Sequence, residues 1–280
     1  METREPGRLF LLAVGVSEFS DTKSEVKFLK YADDDAAGIF NAFGRGDLSS
    51  QLEAKGRSET IHTKLENKAF ESVEATILTN QFATKKAILD EVQRICDEIG
   101  KRATSKKPKR DVFMVFLSGH GVRLVGGPIN DLYYWNYDAV FNDLEKTGLS
   151  FMELGEKVTC VPAEVILATD ACHSGMAGRD VVREVDANEL AKRIYAINER
   201  GLYILNAARS EEKAQEFDQI THGVFARSIL DALNKRADPD ISMIGLMDFV
   251  QRQMKYYMGV KQTPIFRMYG DLLPLTIYNK

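Results

Sequence analysis

Residues 8–16 (RLFLLAVGV) form an apolar run without polar alternation, the pattern of a strand covered on both faces. Asp33, Asp34 and Asp35 then open AAGIFNAF, where Ile39 and Phe43 stand four apart. That spacing predicts a helix with acids at its positive end, the usual place for a cap. Residues 44–74 are polar, charged and punctuated by glycine, with no clear period, and read as an insertion or long loop. Residues 75–80 (ATILTN) predict a second strand. Thr84 is the expected cap of a helix running to Ile99, with Ile88, Val92, Ile95 and Ile99 on one stripe. Three more strands are expected over residues 111–121 (DVFMVFLSGHG), 164–175 (EVILATDACHSG) and 201–208 (GLYILNAA). Two amphipathic helices close the chain, around 222–233 (Phe225, Ile229, Leu233) and 242–258 (Leu246, Val250, Met254, Tyr257).

Strands alternating with helical crossovers build a mostly parallel α/β sheet with helices on both faces. Such sheets bind ligands outside the carboxyl ends of their strands. The third and fourth strands carry the chemistry there. One ends Ser118-Gly119-His120-Gly121 and the other Asp170-Ala171-Cys172-His173-Ser174-Gly175. Side chains two apart on a strand share a face, so Ser118 pairs with His120 and Asp170 with Cys172. If the two strands are neighbours, all four meet at one edge. A Cys and a His brought together from separate elements are the minimal nucleophile and base. The thiolate attacks a carbonyl, the imidazole handles the leaving-group proton, and backbone N–H groups, here those of Gly121 and Cys172, hold the oxyanion. His173 is expected to point to the opposite face.

Composition narrows the alternatives. The chain has 280 residues, 44% hydrophobic and 28% charged, which excludes a disordered or fibrous protein. The net charge of −4 provides no basic field for nucleic acid or anionic lipid. Residues 101–110 do hold six Lys or Arg and no acid; a solvated loop is the plain reading, a basic docking patch the sharper one. No segment reaches the roughly 18 apolar residues of a membrane span. The run before Ser17-Glu18 reads as a strand and not a signal peptide. Three cysteines (Cys96, Cys160, Cys172) without a C-x-x-C pair argue against a disulfide framework or a zinc site, and for a reducing cytoplasm. Cys96 and Cys160 read as packing residues. Val14-Gly15-Val16-Ser17-Glu18 carries no phosphate-binding glycine pattern, against a nucleotide-binding domain.

The two strand ends resemble those of caspase-like cysteine peptidases, most closely the metacaspase and bacterial orthocaspase branch. The interval between His120 and Cys172 is about 50 residues, as in the known caspase signature. TILTNQFATKKAIL, SFMELGEKV, HGVFARSILDAL and QTPIF extend the likeness over nearly the whole chain. The resemblance implies a three-layer caspase-like sandwich in a single domain over 1–280. Residues 1–178 would form a large-subunit-like part, 179–200 a linker and 201–280 a small-subunit-like part. It implies His120 and Cys172 as the catalytic dyad, Gly121 at the oxyanion position, and Asp35, Ser118 and Asp170 around the primary specificity pocket. True caspases carry a Gln where Asp170 stands and cleave after Asp. This chain departs from them.

Two carboxylates in a partly desolvated pocket favour a cation and repel an acid. Cleavage of protein substrates after Arg or Lys is therefore expected. Ser118 has a plainer role open to it, satisfying a backbone group. Self-processing in the family falls between the Cys strand and the next one, where Arg179 and Arg183 are the candidate sites. Many metacaspases need calcium; Asp138, Asp143 and Glu145 supply acids without a calcium-loop pattern, so no cofactor or metal is indicated. The resemblance further implies a monomer, an upstream activating protein and a role in bacterial stress or antiviral defence. A catalytically silent scaffold on the same fold is the alternative, and the presence of both His120 and Cys172 speaks against it.

Overall fold

The computed structural model describes residues 5–22, 28–46, 56–64, 69–105, 107–123, 132–159, 161–173, 201–208, 216–235, 240–257, 262–269 and 276–279, with backbone alone at 123, 172, 173, 217, 235, 240 and 277–279. In chain order the elements are β1 (Pro6–Gly15), α1 (Ala32–Arg45), β2 (Ser58–Thr63), β3 (Ser72–Thr79), α2 (Lys85–Ala103), β4 (Arg110–Arg123), β5 (Leu132–Tyr134), α3 (Leu144–Thr147), β6 (Leu149–Ser150), α4 (Phe151–Thr159) and β7 (Glu164–His173). Then come β8 (Leu202–Asn206), β9 (Glu216–Phe217), β10 (His222–Gly223), α5 (Val224–Lys235), β11 (Asp240–Ser242), α6 (Met243–Tyr256), β12 (Ile265–Tyr269) and β13 (Thr276–Asn279).

The main sheet runs β12-β8-β7-β4-β1-β3-β2. Its five inner strands are parallel, and β12 and β2 pair antiparallel at the two edges. The apolar run of β1 is explained by its alternation. Leu9, Leu11 and Ala13 join the core under α1, α5 and α6, while Phe10, Leu12 and Val14 join the core under α2 and α4. Met114 and Phe116 of β4 and Ile166 and Ala168 of β7 follow the first set; Phe113, Val115, Leu117, Val165 and Leu167 follow the second. The fold is thus the expected sandwich: helices, mostly parallel sheet, helices. Val112, Met114 and Phe116 of β4 and Ile166 and Ala168 of β7 lie on the side of α1 and α5, and Ser118 and Asp170 continue those rows toward the two helices; past Gly119, the His120 ring and Val122 lie with the other core.

The expected elements are found with shifted ends. Thr84 caps α2 by accepting the Ala87 N–H at 3.1 Å, and Ile88, Val92, Ile95 and Ile99 are buried. Several expectations are corrected. The stretch 44–74 is not loop throughout: it contains β2 and the first residues of β3. β2 (SETIHT) is an edge strand with alternating exposure, and its polar residues hide the period. β4 does not stop at Gly121, because residues 121–123 pair with β5. His222 and Gly223 precede α5 as β10 and are not part of the helix.

The basic stretch 101–110 is partly consumed by the fold. Arg102 pairs with Asp111 and Glu71, Lys109 with Glu71 and Arg110 with Glu164, locking the amino ends of the strands. Among the described residues no helix is long and apolar enough to cross a membrane.

Candidate active site

Parallel pairing sets β4 against β7 with Ser118 opposite Asp170 and His120 opposite Cys172. Neighbouring strands lie about 4.8 Å apart, so the two dyad positions stand side by side at the carboxyl edge. The Cys172 side chain is outside the described atoms. The His120 ring is nearly buried and stacks on Phe19, with centroids 5.5 Å apart and planes at 30°. Trp135 meets Phe19 edge-on at 6.1 Å, so an aromatic wall backs the imidazole. The backbone N–H of Trp135 donates to the His120 carbonyl at 2.8 Å, fixing the backbone of that residue.

Gly119 has a packing reason. A Cβ there would stand 2.9 Å from Cε2 and 3.0 Å from the hydroxyl of Tyr134. Tyr134 is fully buried, and its hydroxyl donates to the Ser118 carbonyl at 2.7 Å, so the ring has nowhere to go. Gly119 also has φ of 156°, where an L side chain is strained, so Gly119→Ala should cost about 1–3 kcal/mol by strain and overpacking together, a drop of several degrees in Tm. A melting curve matching wild type would show that both backbone and ring yield.

The acids of α1 do not cap it. The N-cap residue is Tyr31, without a side-chain cap bond. Asp33 instead takes the Ser17 hydroxyl at 2.5 Å and the Asn80 amide at 3.0 Å. The Asn80 side-chain oxygen in turn accepts the N–H groups of Ser17 and Glu18 at 2.9 and 3.2 Å. This buried hub ties the carboxyl ends of β1 and β3 to the start of α1.

Asp35 lies one helical step further, 1% exposed. One of its oxygens, Oδ2, accepts the Ser118 hydroxyl at 2.9 Å; the other, Oδ1, accepts the Gly223 N–H at 2.9 Å and lies 3.1 Å from Nδ1 of His222. Ser118 thus donates to a carboxylate and not to a backbone group. Asp170 accepts the Ala226 N–H through Oδ2 at 3.2 Å, close to the N-terminus of α5, while its buried Oδ1 has no hydrogen-bond partner among the described residues. Gly223 separates the two acids. A Cβ on it would lie 2.6 Å from Oδ2 of Asp170 and 2.9 Å from Oδ2 of Asp35. Burial pushes the Asp170 carboxyl well above the usual range, and the neighbouring Asp35 charge pushes the same way. Glu216 of β9 is also raised, chiefly by burial, and accepts the N–H groups of Lys30 and Tyr31 at 3.0 and 3.1 Å.

The structure therefore brings Asp35, Ser118 and Asp170 together and seats His120 and Cys172 as neighbours. Arg179 and Arg183 lie outside the described residues, as does Cys160. Cys96 is half-buried, its Sγ 3.6 Å from the Lys157 carbonyl. His222, Gly223, Asn80, Phe19 and Glu216 are not identifiable as site residues from spacing. The cues are two stretches of the family likeness, TILTN, which holds Asn80, and HGVF, whose pattern suggests a helix start. Among the described residues no cluster of three or more potential ligands could hold a metal.

Comparison with known proteins now bears on this geometry. A family model described as the caspase domain matches residues 9–269. The chain belongs to the caspase-domain family of cysteine peptidases. The solved structure of pro-sf-caspase-1 superposes on it with a TM-score of 0.50 at 11% identity, over 99% of this chain and 92% of that one. A secreted C11 cysteine protease from Bacteroides thetaiotaomicron, iotapain, gives a TM-score of 0.43 at 11% identity, over 94% of this chain and 66% of that one. No curated protein sequence matches the chain. At 11% identity the superposition on pro-sf-caspase-1 speaks for the fold alone.

Proposed function

We propose that this caspase-family chain is an active endopeptidase that cuts protein substrates after Arg or Lys. The observation that carries the reading is the shared strand edge: His120 opposite Cys172, two residue pairs beyond Ser118 and Asp170, with buried Asp35 bonded to Ser118. The Cys172 thiolate attacks the scissile carbonyl, and the N–H groups of Gly121 and Cys172 receive the oxyanion. His120 gives its proton to the leaving amine, leaving a thioester on Cys172. Water then attacks that thioester, with His120 accepting its proton, and the carboxylate product leaves with the thiol restored. Asp170 and Asp35 supply negative charge for a substrate guanidinium or ammonium, and Ser118 orients Asp35. An acidic side chain would meet two carboxyl groups, which disfavours the aspartate preference of true caspases. The same specificity makes Arg179 and Arg183 the places where such an enzyme would cut itself.

A fluorogenic peptide panel differing only in the cleaved residue tests the reading. Turnover with Arg and Lys should exceed turnover with Asp by at least about a hundredfold. Equal rates, or a preference for Asp, would overturn it.

A further inference from the structure

The proposed pocket contains a fourth side chain, beside Asp35, Ser118 and Asp170, whose place there spacing does not show. His222 sits 16% exposed with its Nδ1 against Oδ1 of Asp35. Together with the Gly223 N–H and the Ser118 hydroxyl it gives Asp35 three partners, so both oxygens of that carboxyl are committed to the protein. Asp170 is held differently. One oxygen takes the Ala226 N–H, and the other, buried, takes nothing from the described residues. The two acids are thus unequal: one is anchored, the other has an unfilled acceptor.

Two further features show that the fold makes room for the His222 ring. Gly38 stands three residues after Asp35 on α1, hence on the same helix face. A Cβ at Gly38 would lie 3.2 Å from Cε1 and 3.8 Å from Nε2 of His222, and 2.9 Å from Leu230. Glycine inside a helix is unfavourable relative to alanine; here it leaves the slot in which the ring rests. Thr221, directly before His222, has φ of 51°, a left-handed conformation that a β-branched residue rarely adopts. The chain accepts that conformation at the step that delivers His222 and Gly223 to Asp35.

Building on the reading above, we propose that His222 is a positioning residue of the specificity pocket. It pins Asp35 so that the uncovered Oδ1 of Asp170 is the atom offered to the substrate cation. Asp35 then contributes charge and shape, and Asp170 the direct contact.

The test uses the full-length protein with benzamidine as the cationic probe, followed by calorimetry, and with arginyl and lysyl peptides for kinetics. His222→Ala should weaken benzamidine binding and raise KM for the arginyl peptide by about tenfold, the loss of one bond to a charged group. Its kcat should stay within about twofold, because His120 and Cys172 are untouched. His222→Asn, whose amide nitrogen can replace Nδ1, should recover most of the affinity, and Gly38→Ala, which intrudes on the ring, should resemble His222→Ala. A folded His222→Ala protein with wild-type affinity overturns the inference and leaves the pocket intact. So does an equal defect in the Ala and Asn variants, or a loss confined to kcat. Failure of the wild-type protein to bind benzamidine or cleave after Arg would instead remove the pocket, and His222 with it.

Discussion

Cys172→Ala should lower kcat/KM toward an arginyl peptide by at least about a thousandfold, and His120→Ala should do nearly the same. The two positions face each other across β4 and β7, so each loses its partner when the other is removed. The double variant should therefore be no worse than Cys172→Ala alone; groups that act as a unit do not add. The two variants should differ in stability. His120 is nearly buried against Phe19, and truncating it removes a stacked ring pair, with a measurable drop in Tm. For Cys172→Ala a melt beside wild type separates chemistry from folding. Two outcomes would refute the dyad: Cys172→Ala retaining more than a few per cent of turnover, or a double variant losing the product of the two single losses.

Much of this geometry was legible because the relevant signals are local. A strand buried on both faces writes an apolar run, and β1, β4 and β7 were read from such runs. α2 was legible from Thr84 and the stripe Ile88–Val92–Ile95–Ile99, a cap and a period within one element. The positions of His120 and Cys172 followed from two strand ends and the rule that parallel sheets act at their carboxyl edge. What stayed hidden has a common cause: its meaning depends on partners remote in sequence. β2 carries SETIHT, and only pairing with β3 makes it a strand. β5 and β6 are too short to show a period. The acids of α1 look like caps, yet Asp33 is bonded to Ser17 and Asn80, and Asp35 to residues 83 and more positions away. Residue types at the pocket could be guessed from Asp35 and Asp170. The unequal hydrogen bonding of the two could not.

That inequality governs the response of the pocket to pH. Asp170 is buried beside Asp35 on α1, with the charge of Glu216 of β9 pushing the same way and His222 of β10 against Asp35; among the described residues the Ala226 N–H of α5 relieves it. Its carboxyl holds a proton well above the usual carboxylate range, burial being the main cause. A carboxyl whose folded pKa is raised binds the proton more tightly when folded than when unfolded. Its contribution to stability is complete below about pH 4 and is lost as pH climbs through the raised value. Asp170→Asn removes that loss and keeps an oxygen for the Ala226 N–H. The variant should therefore be more stable than wild type at neutral pH, with the gap closing toward pH 4 in melts across that range. The same substitution should cut kcat/KM for arginyl and lysyl peptides by at least about a hundredfold, since the uncovered acceptor is gone. In wild type a substrate cation entering the pocket expels the Asp170 proton, so affinity for benzamidine should rise with pH by up to about tenfold per unit below the raised pKa. In Asp170→Asn that dependence should vanish. A wild-type affinity flat with pH, or a variant that melts earlier than wild type at pH 7, would mean that the carboxyl is already ionised in the empty pocket.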